Sequence, residues 1–407
     1  MAKKKNRSKH PSHSSNAPKR APKSNAGITK IVVIGAGGGG GNAVTRMMQG
    51  DRPRGVEFIA VNTDAQDLDY AAAHKKIYIG RALTRGLGAG MNPEIGKQAA
   101  EENRSEIGEA LEGADVVFIT AGFGGGTGTG AAPVIAEIAK EKGILTLAVV
   151  TKPFTFEGAQ RMSIAQEGLA RLKEKVDALV VIPNDRIFTL IDKDTSVAKA
   201  FAFIDEILKQ GVQAIAELVN TPGIVNVDFA DIKTILKDSG QTLIGIGQAA
   251  GQDRSVKAVQ SAVTSPLLEV SMEGAKGVLF SIAGGRDLKM AEVNDIAKAI
   301  SGGLDSNARV IFGAYYDRAL KDKAIKVTVI ATGFNNMFSS ERRGLPTLFT
   351  VGEPKKNEAK AAEPVNPTIP LEIIDEDVKE KPAKGAPGKL DSNEPWEIPA
   401  FLRKKKR

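Results

Sequence analysis

Cysteine is absent from this 407-residue chain, which excludes disulfide frameworks and thiolate metal centres and makes a reducing cytoplasm the expected home. Histidine is nearly absent too. His10, His13 and His74 are too few and too scattered for a zinc site. No uninterrupted apolar run approaches the ~20 residues needed to span a bilayer. The basic N-terminal stretch lacks an apolar h-region, so a secretory signal is not expected. Aromatics make up only 5% of the chain while 42% of residues are hydrophobic, a balance that fits a globular protein with an aliphatic core.

Acidic residues are missing from positions 1–29, which hold eight Lys and Arg, and the last five residues, 403–407, are all basic. These tails account for more than the whole net charge of +8 and leave the body between them at about −5. A basic face for direct nucleic-acid binding is therefore not expected.

Glycine is plentiful, and two dense runs stand out. The stretch 124–130 (GGGTGTG) follows a buried-looking strand pattern at 114–120 and precedes a helical pattern at 131–142. A glycine-dense turn between strand and helix lets backbone N–H groups close on an anion, and the helix start adds its positive dipole end. Thr127 and Thr129 add hydroxyl donors. A flexible linker is the bland alternative, but linkers are not wedged between a buried strand and a helix. The second run, 35–42 (GAGGGGGN), follows the first strand pattern. It contains G-x-G-x-x-G, a weak signal because any run of glycines satisfies many patterns. The acid expected about 20 residues later to bind a ribose has only loose candidates in Glu57 and Asp64. Neither run ends in G-K-[ST], which excludes a P-loop. Two such turns at the carboxyl ends of parallel strands point to one nucleoside triphosphate gripped from two sides.

Val/Ile-rich strand patterns at 31–35, 57–62, 76–79, 115–120, 145–151 and 178–183 alternate with helical patterns at 43–49, 93–104, 106–111, 132–142 and 163–176. That rhythm predicts a parallel sheet covered on both faces. A long helical pattern at 197–219 precedes a second set of elements over 229–334, with strands at 277–282, 307–315 and 324–331. The composition of 1–28 and 335–393 predicts disorder. Apolar character returns at 394–407, where Trp396, Ile398, Phe401 and Leu402 have no core of their own and Pro399 suits the start of a short helix. That segment reads as a peptide that folds on a partner.

The run at 124–130, preceded by GAGGGGGNAV at 35–44, resembles the tubulin/FtsZ family. VNTDAQDL (61–68), TRGLGAGMNPEIG (84–96), PFTFEG (153–158), IPNDR (182–186), NVDFADIKT (226–234) and EIPAFLR (397–403) narrow the resemblance to bacterial FtsZ sequences. It covers about 28–334 plus the terminal peptide. The implied fold class is α/β, with a Rossmann-like parallel-sheet GTP-binding domain (29–196) and a smaller α+β, GTPase-activating domain (226–334). A long central helix with its connecting loop (197–225) joins them, between a disordered basic leader (1–28) and a disordered linker (335–393) that ends in a partner-binding peptide (394–407). The resemblance also implies a GTPase that uses GTP/GDP and Mg²⁺, with no metal-ligating side chain singled out. It would polymerise head-to-tail in the cytoplasm and mark the mid-cell division site. Its partners would be further copies of itself and membrane-tethering and regulatory division proteins held by the terminal peptide, so membrane contact would be indirect.

Carried onto this chain, the resemblance implies that Gly38, Gly39, Gly40, Gly41 and Asn42, with Gly126, Thr127 and Gly128, would cradle the phosphates. Ala89 and Gly90 would sense the γ-phosphate. Glu157 and Arg161 would hold the ribose side and Asn184 the base, its amide able to donate and accept. Between Glu157 and Arg161 the chain departs from relatives that often carry basic residues, having Ala159 and Gln160 instead. Phe201 and Asp205 share one face of the long helix. A ring stacking on a purine and a carboxylate accepting from guanine N1–H and N2–H would select guanine. Spacing alone leaves open that Phe201 is core and Asp205 a solvated acid. Near the glycine runs there is no obvious general base. The resemblance places that role on Asp228 and Asp231, acting on the next subunit's nucleotide by positioning the attacking water, although Asp228 also reads as a helix N-cap and Asp231 as a first-turn acid. Two classes compete with this reading: a dinucleotide oxidoreductase built on the first glycine run, and a nucleotide-gated polymer in which hydrolysis is incidental.

Overall fold

The computed structural model describes residues 29–49, 55–192, 194–221, 223–264, 272–317, 320 and 323–334. The leader, the linker and the terminal peptide with Trp396, Ile398, Pro399, Phe401 and Leu402 lie outside them. The first half alternates β1 (Ile31–Ala36), α1 (Gly37–Gln49), β2 (Val56–Asn62), α2 (Ala65–Tyr70), β3 (Lys75–Tyr78) and the short helix α3 (Arg81–Thr84). It continues with α4 (Pro93–Glu102), α5 (Arg104–Ala110), β4 (Val116–Gly122), α6 (Thr127–Glu141), β5 (Leu145–Lys152), α7 (Ala159–Lys173) and β6 (Ala178–Pro183). The long helix α8 (Val197–Asn220) and α9 (Phe229–Leu236) lead to β7 (Gly240–Ala250), α10 (Arg254–Val263), β8 (Gly277–Gly284), α11 (Met290–Ser301), β9 (Arg309–Tyr316) and β10 (Ala324–Thr332).

Among the described residues all ten strands join one sheet in the order β3-β2-β1-β4-β5-β6-β7-β10-β8-β9. The first six pair in parallel, as the βαβ rhythm predicts. The sheet narrows at β6–β7 to two register pairs, Ala178 with Gly240 and Leu179 with Gln241. Beyond that seam β10 pairs antiparallel with β7 and β8, and β9 adds in parallel to β8.

Strand alternation divides the core. Along β1, Val32 and Ile34 face a layer built from α4 to α7, among them Ala99, Ile107, Ile135 and Leu169. Ile31 and Val33 face the opposite layer, where α1 supplies Val44 and Met47 and α8 supplies Ile204, Leu208, Val212 and Ile215. The spacing of those α8 residues follows the helical repeat, so one stripe of the helix is buried along most of its length. The same cluster includes Leu279 and Ile330 of the second half. α8 and α9 therefore bridge the seam, while α10 and α11 cover the other face of the second half.

Two local expectations need correction. The glycine runs are less loop than they read: α1 begins at Gly37 and α6 at Thr127, so 37–41 and 127–130 are first helical turns. β7, whose sequence GQTLIGIGQAA gave no strand expectation, is the longest strand. Its glycines admit α10. A Cβ on Gly247 would stand 2.1 Å from the Ala258 carbonyl oxygen, and one on Gly245 2.1 Å from that of Ala262. Gly247→Ala must push α10 off the strand, at an expected cost of about 2 kcal/mol and a melting temperature lower by roughly 4–8 °C. Thermal unfolding followed by circular dichroism checks this, and an unshifted midpoint would mean that α10 yields without loss.

Candidate functional site

The carboxyl edge of β1, β4, β5 and β6 opens into a cavity of about 560 Å³, within the ~300–1,000 Å³ span of small-ligand sites. One end is glycine. β1 runs straight into α1, β4 reaches α6 through residues 123–126, and the two strands are neighbours, with Ala36 beside Ala121. Two helix N-termini therefore converge. A Cβ on Gly37 would lie 2.9 Å from the Gly128 nitrogen, and one on Gly128 would lie 2.8 Å from the Gly122 carbonyl oxygen. No residue but glycine permits that approach at both starts, and Gly37 also needs its φ of +71°. Unsatisfied amides and two aligned dipoles make this end a receptor for an anion.

Gly38, Gly39, Asn42, Gly90, Gly126, Thr127 and Gly128 line the cavity there. The Gly126 amide donates to the Gly90 carbonyl at 2.7 Å, which closes the loop before α4 onto the start of α6. The Thr127 hydroxyl meets that of Thr63 at 2.6 Å. Gly40 and Gly41, expected in the cradle, and Ala89, expected at the γ-phosphate, are not among the lining residues. Gly40 is buried where a Cβ would stand 2.5 Å from the Thr120 carbonyl oxygen, so it serves the close packing of α1 on β1 and β4. Gly41 turns toward Ala71. Ala89 lies behind the wall, its carbonyl accepting from the Asn92 amide at 3.1 Å.

The opposite end is aromatic and polar. Phe201 is 46% exposed, which overturns its reading as a core residue. Its ring stands edge-on to Phe154 at 5.6 Å and 85°, and Phe154 in turn stacks on Phe156 at 4.8 Å. Asn184 follows β6, is buried, lines the cavity, and its Oδ1 has no protein partner. An orphaned buried acceptor is costly unless a ligand satisfies it. Glu157 accepts from the Phe154 amide at 2.9 Å and pairs with Arg161, so the two form one wall at the start of α7. Ala159 and Gln160 are exposed in that helix's first turn.

Asp205 lines the cavity one turn beyond Phe201, with Arg46 Nε of α1 at 3.6 Å from its Oδ2. Burial pushes this carboxyl above the usual aspartate range, and the Arg46 charge opposes the shift. Arg46 is a partner that sequence reasoning missed, since nothing local links the two residues. Asp67 was missed as well. Asp64 caps α2 by accepting from the Asp67 amide at 3.0 Å, and the Asp67 carboxylate projects to the glycine end, 2.9 Å from where a Cβ on Gly38 would be. The D-x-x-D helix start within 61–68 was the available signal. A carboxylate beside an anion cradle suits a cation shared with phosphate oxygens. Among the described residues no group of three or more His, Asp or Glu side chains could hold a metal alone. The donor set fits Mg²⁺, which takes one or two carboxylates and completes its shell with substrate phosphates and water.

Asp228 and Asp231 are not in this cavity. α8 lines it through Phe201, Ile204, Asp205 and Leu208 and then runs roughly 28 Å from Phe201 to Asn220 at 1.5 Å per residue. There Asn220 Nδ2 donates to the Thr29 carbonyl at 3.2 Å, beside the start of β1. Asp228, exposed, caps α9 by accepting from the Ala230 amide at 3.1 Å, and Asp231 is exposed in the first turn. Both carboxylates thus sit at the edge of the sheet opposite the cavity.

Fold and site define a class: a parallel-sheet α/β protein with a small-ligand cavity set between two glycine-built helix starts fit for an anion and an aromatic, amide-lined opposite end. The chain belongs to the tubulin/FtsZ family, matching its GTPase domain over residues 30–192 and the FtsZ family C-terminal domain over residues 240–335. Among solved structures it is similar to an empty FtsZ dimer from M. jannaschii, with 47% identity, a TM-score of 0.71, and coverage of 75% of this chain and 88% of that one. It is also similar to the GDP-bound monomer of CetZ1 from Haloferax volcanii, with 25% identity, a TM-score of 0.66, and coverage of 76% and 95%. The chain is accordingly a GTP-binding protein of the cytoskeletal GTPase class, and GTP hydrolysis is a property of its family.

Proposed function

We propose that this protein is an assembly-activated GTPase that polymerises head-to-tail into filaments of the cytoplasmic division ring at mid-cell. The carrying observation is the separation of its parts. The cavity has an anion cradle and a purine end, whereas the two exposed carboxylates lie beyond the far end of α8. A second copy stacked along the α8 direction would bring Asp228 and Asp231 to the open phosphate end.

In that arrangement the paired helix starts at Gly37 and Thr127 hold the β- and γ-phosphates, with Gly90 at the γ-phosphate. Asn184, Glu157 and Arg161 orient the nucleoside, Phe201 stacks on the base, and Asp205 accepts from guanine. Asp67 would hold Mg²⁺, which when bound neutralises phosphate charge. The neighbour's Asp228 and Asp231 orient the attacking water, consistent with phosphoryl transfer relying on positioning and electrostatics. A domain division at 197–225 is supported by the short β6–β7 pairing, which the chain crosses through that segment. The terminal peptide 394–407 would carry the membrane-tethering and regulatory partners.

Light scattering and phosphate release measured against protein concentration test this reading. With GTP, turnover per subunit is expected to be negligible below a threshold and to rise together with scattering above it, and ATP should elicit neither. Turnover strictly proportional to concentration, without scattering, contradicts a shared site.

A further inference from the structure

We propose that Tyr315, Glu217 and Lys326 form a positioning clamp that fixes residues 223–228, and with them the Asp228 carboxylate, to the second half of the sheet. The inference rests on the reading of Asp228 as the residue that acts on a neighbour's nucleotide.

Glu217 lies in the last turn of α8, and three side chains converge on its carboxylate. The Tyr315 hydroxyl of β9 donates to Oε2 at 2.7 Å, Lys326 Nζ of β10 donates to the same oxygen at 3.0 Å, and Gln213 Nε2 donates to Oε1 at 2.6 Å. The main-chain carbonyl of the same Glu217 accepts the Thr221 amide at 2.9 Å, where the helix ends. One residue thus ties the exit of α8 to two strands. Burial and the Glu217 charge hold the Tyr315 phenol above its usual range, so it remains a neutral donor at physiological pH.

The next residues of the chain are held by the residues next to Tyr315. The Ile224 and Val225 amides both donate to the Ala314 carbonyl, at 2.7 and 3.1 Å, and the Ala314 amide returns a bond to Val225 at 3.0 Å. Gly223 donates to Asn226 Oδ1 at 2.6 Å. Gly313 lies so close beneath Val227 that a Cβ there would stand 3.0 Å from the valine methyl. Residues 313–315 therefore form a pad: Gly313 under Val227, Ala314 paired with 224–225, and Tyr315 bonded to Glu217. The loop leaves α8 already registered on β9 and arrives at Asp228 as the cap of α9. A donated carboxylate must hold its place without help from its own subunit's nucleotide, and an error of about 1 Å can cost a hundredfold in rate. The clamp supplies that register.

The full-length chain tests this through Tyr315→Phe, which keeps the ring and removes one donor, with Glu217→Gln and Lys326→Met as further variants should the first fail to fold. GTPγS affinity of the unassembled protein is expected to stay within about twofold of the parent, because the clamp lies far from the cavity. Phosphate release per sedimented subunit is expected to fall roughly five- to tenfold, and hydrogen exchange at the Ile224 and Val225 amides to accelerate. In an Asp228→Ala background Tyr315→Phe should lower turnover no further, an outcome that general loosening of the fold would not give. Unchanged turnover and unchanged amide exchange in these variants overturn the clamp. Undiminished turnover in Asp228→Ala alone overturns the trans reading instead, while the exchange measurement still reports whether the clamp holds the loop.

Discussion

Asp228→Ala is expected to leave GTP binding and assembly in place while phosphate release falls roughly a hundredfold or more, the scale of losing a group that orients or deprotonates the nucleophile. The binding cavity contains neither Asp228 nor any residue next to it, so affinity for the nucleotide has no reason to change. Alanine does remove a cap, because Asp228 accepts from the Ala230 amide at 3.1 Å, and that loss costs about 1 kcal/mol of α9 stability. Asp228→Asn separates the two roles, since asparagine caps a helix as well as aspartate does. If the charge does the chemistry, both variants lose turnover and only alanine loosens α9. Full turnover in the asparagine variant, with assembly intact, would remove the Asp228 charge from the mechanism. Mixed filaments sharpen the test. Turnover in a mixture of Asp228→Ala with a subunit crippled in nucleotide binding should report only interfaces where an intact carboxylate meets an intact cavity.

The parallel half of the sheet was legible because its strands are buried on both faces and read as unbroken Val/Ile runs. β6 begins and ends where its pattern does, and β1, β2 and β5 differ by a residue. The misread segments share one physical cause. Glycine lowers helix and strand propensity alike, so 37–41, 127–130 and β7 look like turns in a local window. Their glycines instead answer to neighbours distant in sequence. Position 130 must be glycine because a Cβ there would meet the Pro93 carbonyl oxygen at 2.0 Å, and position 247 because α10 rests on the strand there. The site divides in the same way. Helical spacing put Phe201 and Asp205 on one face but left their role open, and Asn184 was placed by its position after a strand; the fold brings all three to one cavity. Arg46 was not legible, since its pairing with Asp205 exists only once α1 and α8 pack together, and neither was the packing role of Gly40, which lets α1 approach the sheet.

Removing Asp205 should erase base selectivity while leaving the phosphate end untouched. In Asp205→Ala, GTP affinity is expected to fall by about two to three orders of magnitude, the worth of two hydrogen bonds to a charged acceptor at ~1.5–3 kcal/mol each less what solvent restores. Affinity for ATP should hardly change, so the two nucleotides converge. Inosine triphosphate, which lacks the 2-amino group, dissects the pair: it should bind the parent more weakly than GTP, and the variant equally well. Titration with fluorescent analogues of all three checks this, and a variant that still prefers GTP would move guanine recognition elsewhere, to Asn184 in the first instance. The carboxylate's surroundings add a pH signature. Burial raises the Asp205 pKa in the unliganded protein and Arg46 only partly opposes it, so the ionised form that accepts from guanine is lost at a higher pH than an ordinary aspartate would require. GTP affinity should therefore weaken as pH falls toward the carboxyl range. The loss should begin earlier still in Arg46→Met, where the opposing charge is gone, and disappear in Asp205→Ala, where no carboxyl remains to titrate.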